Sequence, residues 1–297
     1  MKEFLSDMGE CNSLSDMLEW VANKAGTVFK IVRSDVDLFR IKQEFLDKGE
    51  KRFARLESDL SPEVFGITYK RLNAMAWEPA FVSVIDCRGI KAARAYFTKW
   101  HEIAHLLTLT QQLRLEFRRT HNSVSGEDPE ERLMDMIAGR FGFYAPVFHK
   151  LIKTGISFDE IERLRTELCP EASMQATIIN FVRHWPTPCI LIKAEIGFNS
   201  REESQLRQGA FDFVELPQAV LRAVRATAND EARATGFHLF DNMRVPDESV
   251  ISKVFQSGEF AEAIEDLSWW SGQPTRKIKV EARLNNGHVD ALIVPLD

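Results

Sequence analysis

The residues best equipped for chemistry are His101, Glu102 and His105, which stand in the spacing His-Glu-x-x-His within residues 95–107. On a helix, four residues make just over one turn, so both imidazoles project from one face and can share a metal ion. Glu102 sits about 100° round from His101, close enough to reach a water on that metal. Zinc suits two neutral imidazoles plus a carboxylate and leaves one position open. It lowers the pKa of bound water to about 7, and Glu102 is placed to take the proton. The competing reading is a surface helix that happens to carry two histidines. Against it, Phe97, Trp100, Ile103, Ala104, Leu106 and Leu107 make the helix apolar round much of its circumference. Such a helix is expected to be buried, where its polar side chains need partners.

A site of this kind needs a third protein ligand. Asp128-Pro129 reads as a helix start, the Asp as N-cap and the Pro at the first helical position. The helix it opens offers Glu130 and Glu131, then Asp135. Glu131 and Asp135 are four apart and share a face, so Glu131 can ligate zinc while Asp135 accepts the second ring N–H of a ligand histidine. Glu131 is preferred, Glu130 stands second and His121 third. The ordinary alternative for Glu131 is a capping box, since it occupies the third helical position, where an acid also favours the helix dipole.

The elements that must position these groups follow from periodicity and breakers. Leu14, Met17, Leu18, Val21 and Ala22 give a helix over 13–25 with Ser13 as cap, and a second helix covers about 34–57. Residues 64–69 and 81–87 read as strands, and Arg88-Gly89 turns the chain into a helix from about 91 to 109. After the polar loop 122–129, the Asp128 helix is expected to run to about 143. Helices at 158–168 and 172–184 follow, and Trp185-Pro186-Thr187-Pro188-Cys189 marks a boundary. Beyond it, 189–196 reads as a strand, 217–234 as a helix, and 277–296 as a hairpin turning on Asn-Gly.

The whole chain has 297 residues, 44% hydrophobic and 28% charged, a composition that excludes intrinsic disorder and allows a full core. Its net charge of −6 argues against a general nucleic-acid coat. Cys11, Cys87, Cys169 and Cys189 are far apart without a Cys-x-x-Cys pair, so they read as reduced thiols. Acids near the N-terminus and the lack of a long apolar run lead us to expect a cytoplasmic chain with no membrane partner.

The stretch Arg-Ala-Tyr-Phe-Thr-Lys-Trp-His-Glu-Ile-Ala-His-Leu-Leu (94–107) resembles the R-x-x-F-T-x-x-H-E-hydrophobic-(G/A)-H-x-L signature of the ImmA/IrrE-type zinc metallopeptidases. The stretch ERLMDMIAGRFGFYAP (131–146) resembles that family's second motif, a Glu followed by (A/x)-N-x-F-A and, later, a Pro. On that alignment Glu131 takes the ligand position and Asp135 falls on the common Asn. Ala104 replaces the usual Gly, the run from Ala138 to Pro146 is longer than usual, and so is the loop between His105 and Glu131. The resemblance covers roughly residues 60–200.

What the resemblance implies is an α+β chain: an α-rich, zincin-like metallopeptidase core over 1–150, a helical segment resembling a helix-turn-helix over 151–186, and a small C-terminal α/β domain of GAF-like, sensory type over 187–297. It implies a zinc-dependent endopeptidase that cuts a protein substrate, typically a helix-turn-helix transcriptional repressor in a stress-response or mobile-element circuit. The expected roles are His101, His105 and Glu131 as zinc ligands, Glu102 as general base and Asp135 behind a ligand. The alternative is a non-catalytic regulatory binding protein with a structural or vestigial zinc core and a ligand- or partner-sensing tail.

Tyr144, His121 and His149 are candidates to stabilise the oxyanion of a tetrahedral intermediate. Residues 151–195 carry five Lys or Arg against six acids, which argues against direct DNA binding by the helix pair. Its apolar stripes, Phe158, Ile161, Leu164, Leu168 and Met174, Ile178, Phe181, Val182, have ordinary core spacing. The basic run Arg114, Arg118, Arg119 and His121 reads as a solvated face or as a rim for an acidic substrate segment. Trp269-Trp270 and Phe211 with Phe213 are read as core, with a ligand pocket as the alternative.

Overall fold

The structure, a computed structural model, describes residues 13–108, 116–120, 129–208 and 217–296. The chain is mixed α+β and divides into two compact units, Met1–Leu151 with Arg163–Asn180, and Ile152–Glu162 with Phe181–Asp297. This division passes through both helices of the expected segment 151–186.

The first unit begins with α1 (Leu14–Lys24), where Ser13 accepts a hydrogen bond from the Asp16 N–H at 3.0 Å as the expected N-cap. Strand β1 (Thr27–Val32) follows, unforeseen because it is short and half-buried. The expected helix over 34–57 is broken. It runs as α2 (Asp35–Asp47), stops at Gly49 with φ 79°, and resumes as a 3-10 turn (Lys51–Arg55) and the short α3 (Leu56–Asp59). A positive φ at Gly49 ends the α2 ladder in a way that an apolar pattern cannot reveal. Strands β2 (Val64–Lys70) and β3 (Phe81–Asp86) lie where expected.

A 3-10 turn (Gly89–Arg94) leads into α4 (Ala95–Thr108). The start of α4 is pinned by Asp86, which accepts from Lys91 Nζ at 2.7 Å and Arg88 Nε at 2.9 Å. Burial pushes the Asp86 carboxyl up, but the two cations outweigh it and hold it below its usual range. Strand β4 (Glu116–Thr120) contains the basic pair Arg118-Arg119 and completes a sheet of order β1-β3-β2-β4. Strand β1 runs parallel to β3, and the other pairs are antiparallel. Next come α5 (Pro129–Gly142) and the short α6 (Ala145–Phe148).

Helices α4 and α5 meet at a close approach. A Cβ on Gly142 would lie 2.8 Å from Trp100 Cδ1, and Tyr96 Oη donates to the Gly142 carbonyl. Only glycine leaves room for the Trp100 ring against the α5 backbone.

Helices α7 (Phe158–Leu168) and α8 (Met174–Arg183) occupy the places their spacing indicates. Their stripes Phe158, Ile161, Leu164, Leu168 and Ile178, Phe181, Val182 are buried.

The second unit is built on six antiparallel strands in the order β7-β6-β5-β10-β9-β8. In chain order its elements are β5 (Ile190–Gly197), α9 (Ser200–Gln208), β6 (Val220–Ala228), α10 (Asp230–Ala234), β7 (Met243–Arg244), α11 (Val250–Ser257), β8 (Ala261–Asp266), β9 (Lys277–Asn285) and β10 (His288–Pro295). The Asn286-Gly287 turn has φ 48° and 86°, the pair of positive angles that a two-residue hairpin needs. The helix expected over 217–234 is a correction: half of it is β6, paired along its length with β5, and only Asp230–Ala234 is helical. Pairing with the buried β5 overrides the helical propensity of its alanines and arginines. Among the described residues no helix is long and apolar enough to cross a membrane, and Cys87, Cys169 and Cys189 are free thiols.

Candidate metal centre

Helix α4 is buried nearly all round, as its apolar flanks require. One stripe, His101 and His105, faces α5; the neighbouring stripe, Thr98 and Glu102, rests on β2. The histidines meet Glu131, which α5 presents from its first turn. His101 Nε2 lies 3.1 Å from His105 Nε2 and 3.1 Å from Glu131 Oε2, and His105 Nε2 lies 3.5 Å from Glu131 Oε1. These three residues form a group whose ligand atoms all lie within 4.8 Å of one another.

The donor set fits zinc. Ligands about 2.0–2.1 Å from a tetrahedral ion stand roughly 3.3 Å from each other, which is the spacing found here. The tautomer also fits. His101 Nδ1 is 2.8 Å from Asp135 Oδ1, and an ionised carboxylate can only accept, so Nδ1 carries the proton. With Nδ1 held by Asp135, Nε2 is the ring atom turned toward the group, the one a metal would take. Hydrogen bonds first from His101 and then from His105 hold the Glu131 carboxyl far below the usual carboxylate range.

Glu131 is thus the carboxylate that meets the imidazoles, while Glu130 next to it is exposed. Asp135 stands behind His101, on the side opposite the group. Glu102 is fully buried. Its Oε2 accepts from Thr68 Oγ1 at 2.7 Å, and its carboxylate is outside the three-ligand group.

The remaining candidates are dispersed. Tyr144 stands just before α6. His149 is exposed in a 3-10 turn (His149–Leu151), its ring edge-on to Phe148, and His121 lies outside the described residues. Trp270 is fully buried and Trp269 is 44% exposed; Phe211 and Phe213 lie outside the described residues. Sequence reasoning missed Thr68 and Gly66, which flank Glu102 from β2. A strand reading of residues 64–69 places both on one face, yet nothing in the sequence says which helix that face meets.

Neither a family model nor a curated protein sequence matches the chain.

Proposed function

We propose that the chain is a zinc-dependent endopeptidase. The observation that carries this reading is the convergence of His101, His105 and Glu131 on one point, with Glu102 adjacent to a ligand on the same helix. Zinc, when bound, acidifies water and polarises a peptide carbonyl. His101, His105 and Glu131 hold it, and Asp135 keeps the His101 proton on Nδ1. Glu102 takes a proton from the attacking water and returns it to the leaving amine. A three-ligand set favours catalysis over structure, because structural zinc sites are normally closed by four protein ligands.

The sheet backed by α4 supports a zincin-like core for the first unit. The antiparallel sheet with α11 packed on it supports a small sensory domain of GAF-like type for the second. By its resemblance to ImmA/IrrE-type peptidases, the substrate is a helix-turn-helix repressor and the compartment is the cytoplasm. The acidic balance of 151–195 and the burial of its apolar stripes speak against direct DNA binding by that segment.

One observation favours a second reading, a regulatory binding protein with a non-catalytic zinc core: the Glu102 carboxylate is fully buried against Thr68. The Glu102→Gln variant separates the two. As a peptidase, it keeps its zinc and loses cleavage by about 100-fold or more, the scale of a general base. Cleavage at the wild-type rate would overturn the mechanism.

A further inference from the structure

Position 102 is met from β2 by two residues at alternate positions, Gly66 and Thr68, which therefore share a face. A Cβ on Gly66 would lie 2.7 Å from Thr98 Cγ2 and 3.1 Å from Glu102 Oε1. The missing side chain is what admits the carboxylate. Two residues further on, Thr68 Oγ1 donates to Glu102 Oε2 at 2.7 Å.

Thr68 does not act alone. Its Oγ1 lies 2.7 Å from Ser83 Oγ, and Ser83 Oγ lies 2.9 Å from Thr27 Oγ1. Thr68 and Ser83 are direct partners across β2 and β3, and Thr27 is on the neighbouring β1. All three hydroxyls are at most 2% exposed.

Counting protons fixes the direction of this chain. A hydroxyl has one proton to give. Thr68 gives its proton to Glu102, so Ser83 must give to Thr68, and Thr27 to Ser83. A row of hydroxyls across three strands is polarised toward one carboxylate.

We infer that Gly66 and Thr68 are positioning residues for Glu102, with Ser83 and Thr27 fixing the Thr68 hydroxyl. This rests on the peptidase reading above. The last torsion of a glutamate is soft, and a general base that swings out of line loses most of its effect. A glycine that makes room and a hydroxyl whose own rotation is locked hold the carboxylate in one orientation.

The test compares the zinc-loaded wild type with T68V, T68S, S83A and E102Q. Zinc per chain and melting temperature are measured for each. Steady-state kinetics use one peptide that wild type cleaves, selected from a fluorogenic peptide library. Thr68→Val is expected to keep its zinc and a KM within about threefold of wild type while kcat falls about 10–100-fold. Thr68→Ser should recover to within about threefold. Ser83→Ala, which keeps Thr68 but frees its rotation, should show a smaller loss in kcat and serves if Thr68→Val does not fold.

Independently of activity, metal-free protein with labelled threonine should show a slowly exchanging Thr68 hydroxyl proton in NMR spectra, absent in Thr68→Val and moved in Glu102→Gln. Equal kcat in wild type, Thr68→Val and Ser83→Ala would overturn the inference, as would a Thr68→Ser variant as impaired as Thr68→Val. A wild type that holds zinc and cleaves nothing in the library would overturn the peptidase reading itself, and this inference with it.

Discussion

Glu131 in the first unit and Glu265 and Glu281 in the second are the same chemical group in opposite surroundings. Glu131 faces two imidazoles and keeps its charge well below the usual carboxylate range. Glu265 and Glu281 are each 4% exposed. Burial pushes both carboxyls up, and this outweighs the backbone N–H groups of Val250 and Phe158 that donate to them. The difference shows what each unit asks of its acids. In the first, an ionised carboxylate and two imidazole Nε2 atoms converge on a point a cation can occupy. In the second, lone carboxylates hold the start of α11 and of α7 as hydrogen-bond acceptors, and no imidazole is bonded to them among the described contacts.

Acid should separate the two units most strongly. The site needs its imidazoles unprotonated, so acid competes with the metal for their nitrogens. Zinc bound at pH 8 is expected to be lost by about pH 5, measured by elemental analysis after gel filtration at each pH. Retention of full zinc at pH 5 would place the metal on other ligands.

A smaller effect is expected behind the ligand. Asp135→Ala leaves His101 without the acceptor that fixes its tautomer, and zinc affinity should fall about 10–100-fold in competition with a chelator. An unchanged affinity would mean that Asp135 is merely an ion-pair partner at the surface.

The smallest effect concerns the second unit. A carboxyl raised in the folded state contributes stability that is fully present below its unfolded pKa and is lost as pH rises through the folded value. The second unit of wild type should therefore weaken between about pH 4 and neutrality. Glu265→Gln and Glu281→Gln should each flatten that slope without changing zinc content, as read from urea midpoints at the two pH values. A slope equal to wild type in both variants would contradict the contrast drawn between the units.

The site was more legible in the sequence than the fold around it. His101, Glu102 and His105 announce themselves by type and spacing on a helix that its apolar flanks show to be buried. Glu131 and Asp135 follow once a third ligand is sought on the next helix. The Asn286-Gly287 hairpin was legible because few residue pairs tolerate two positive φ angles. What stayed hidden depends on long-range contact. Val220–Ala228 has helical composition and becomes a strand because β5 needs a partner. Gly49 interrupts a helix whose apolar pattern runs past it. Gly66 and Thr68 look like ordinary strand residues until α4 is laid across them.

The most direct test of the metal centre is zinc per chain in wild type, Glu131→Ala and Glu265→Gln, purified side by side and supplied with the metal. The expected result is about one zinc in wild type and in Glu265→Gln, and a clear loss in Glu131→Ala. No zinc in wild type, or undiminished zinc in Glu131→Ala, would contradict the three-ligand site and the peptidase built on it.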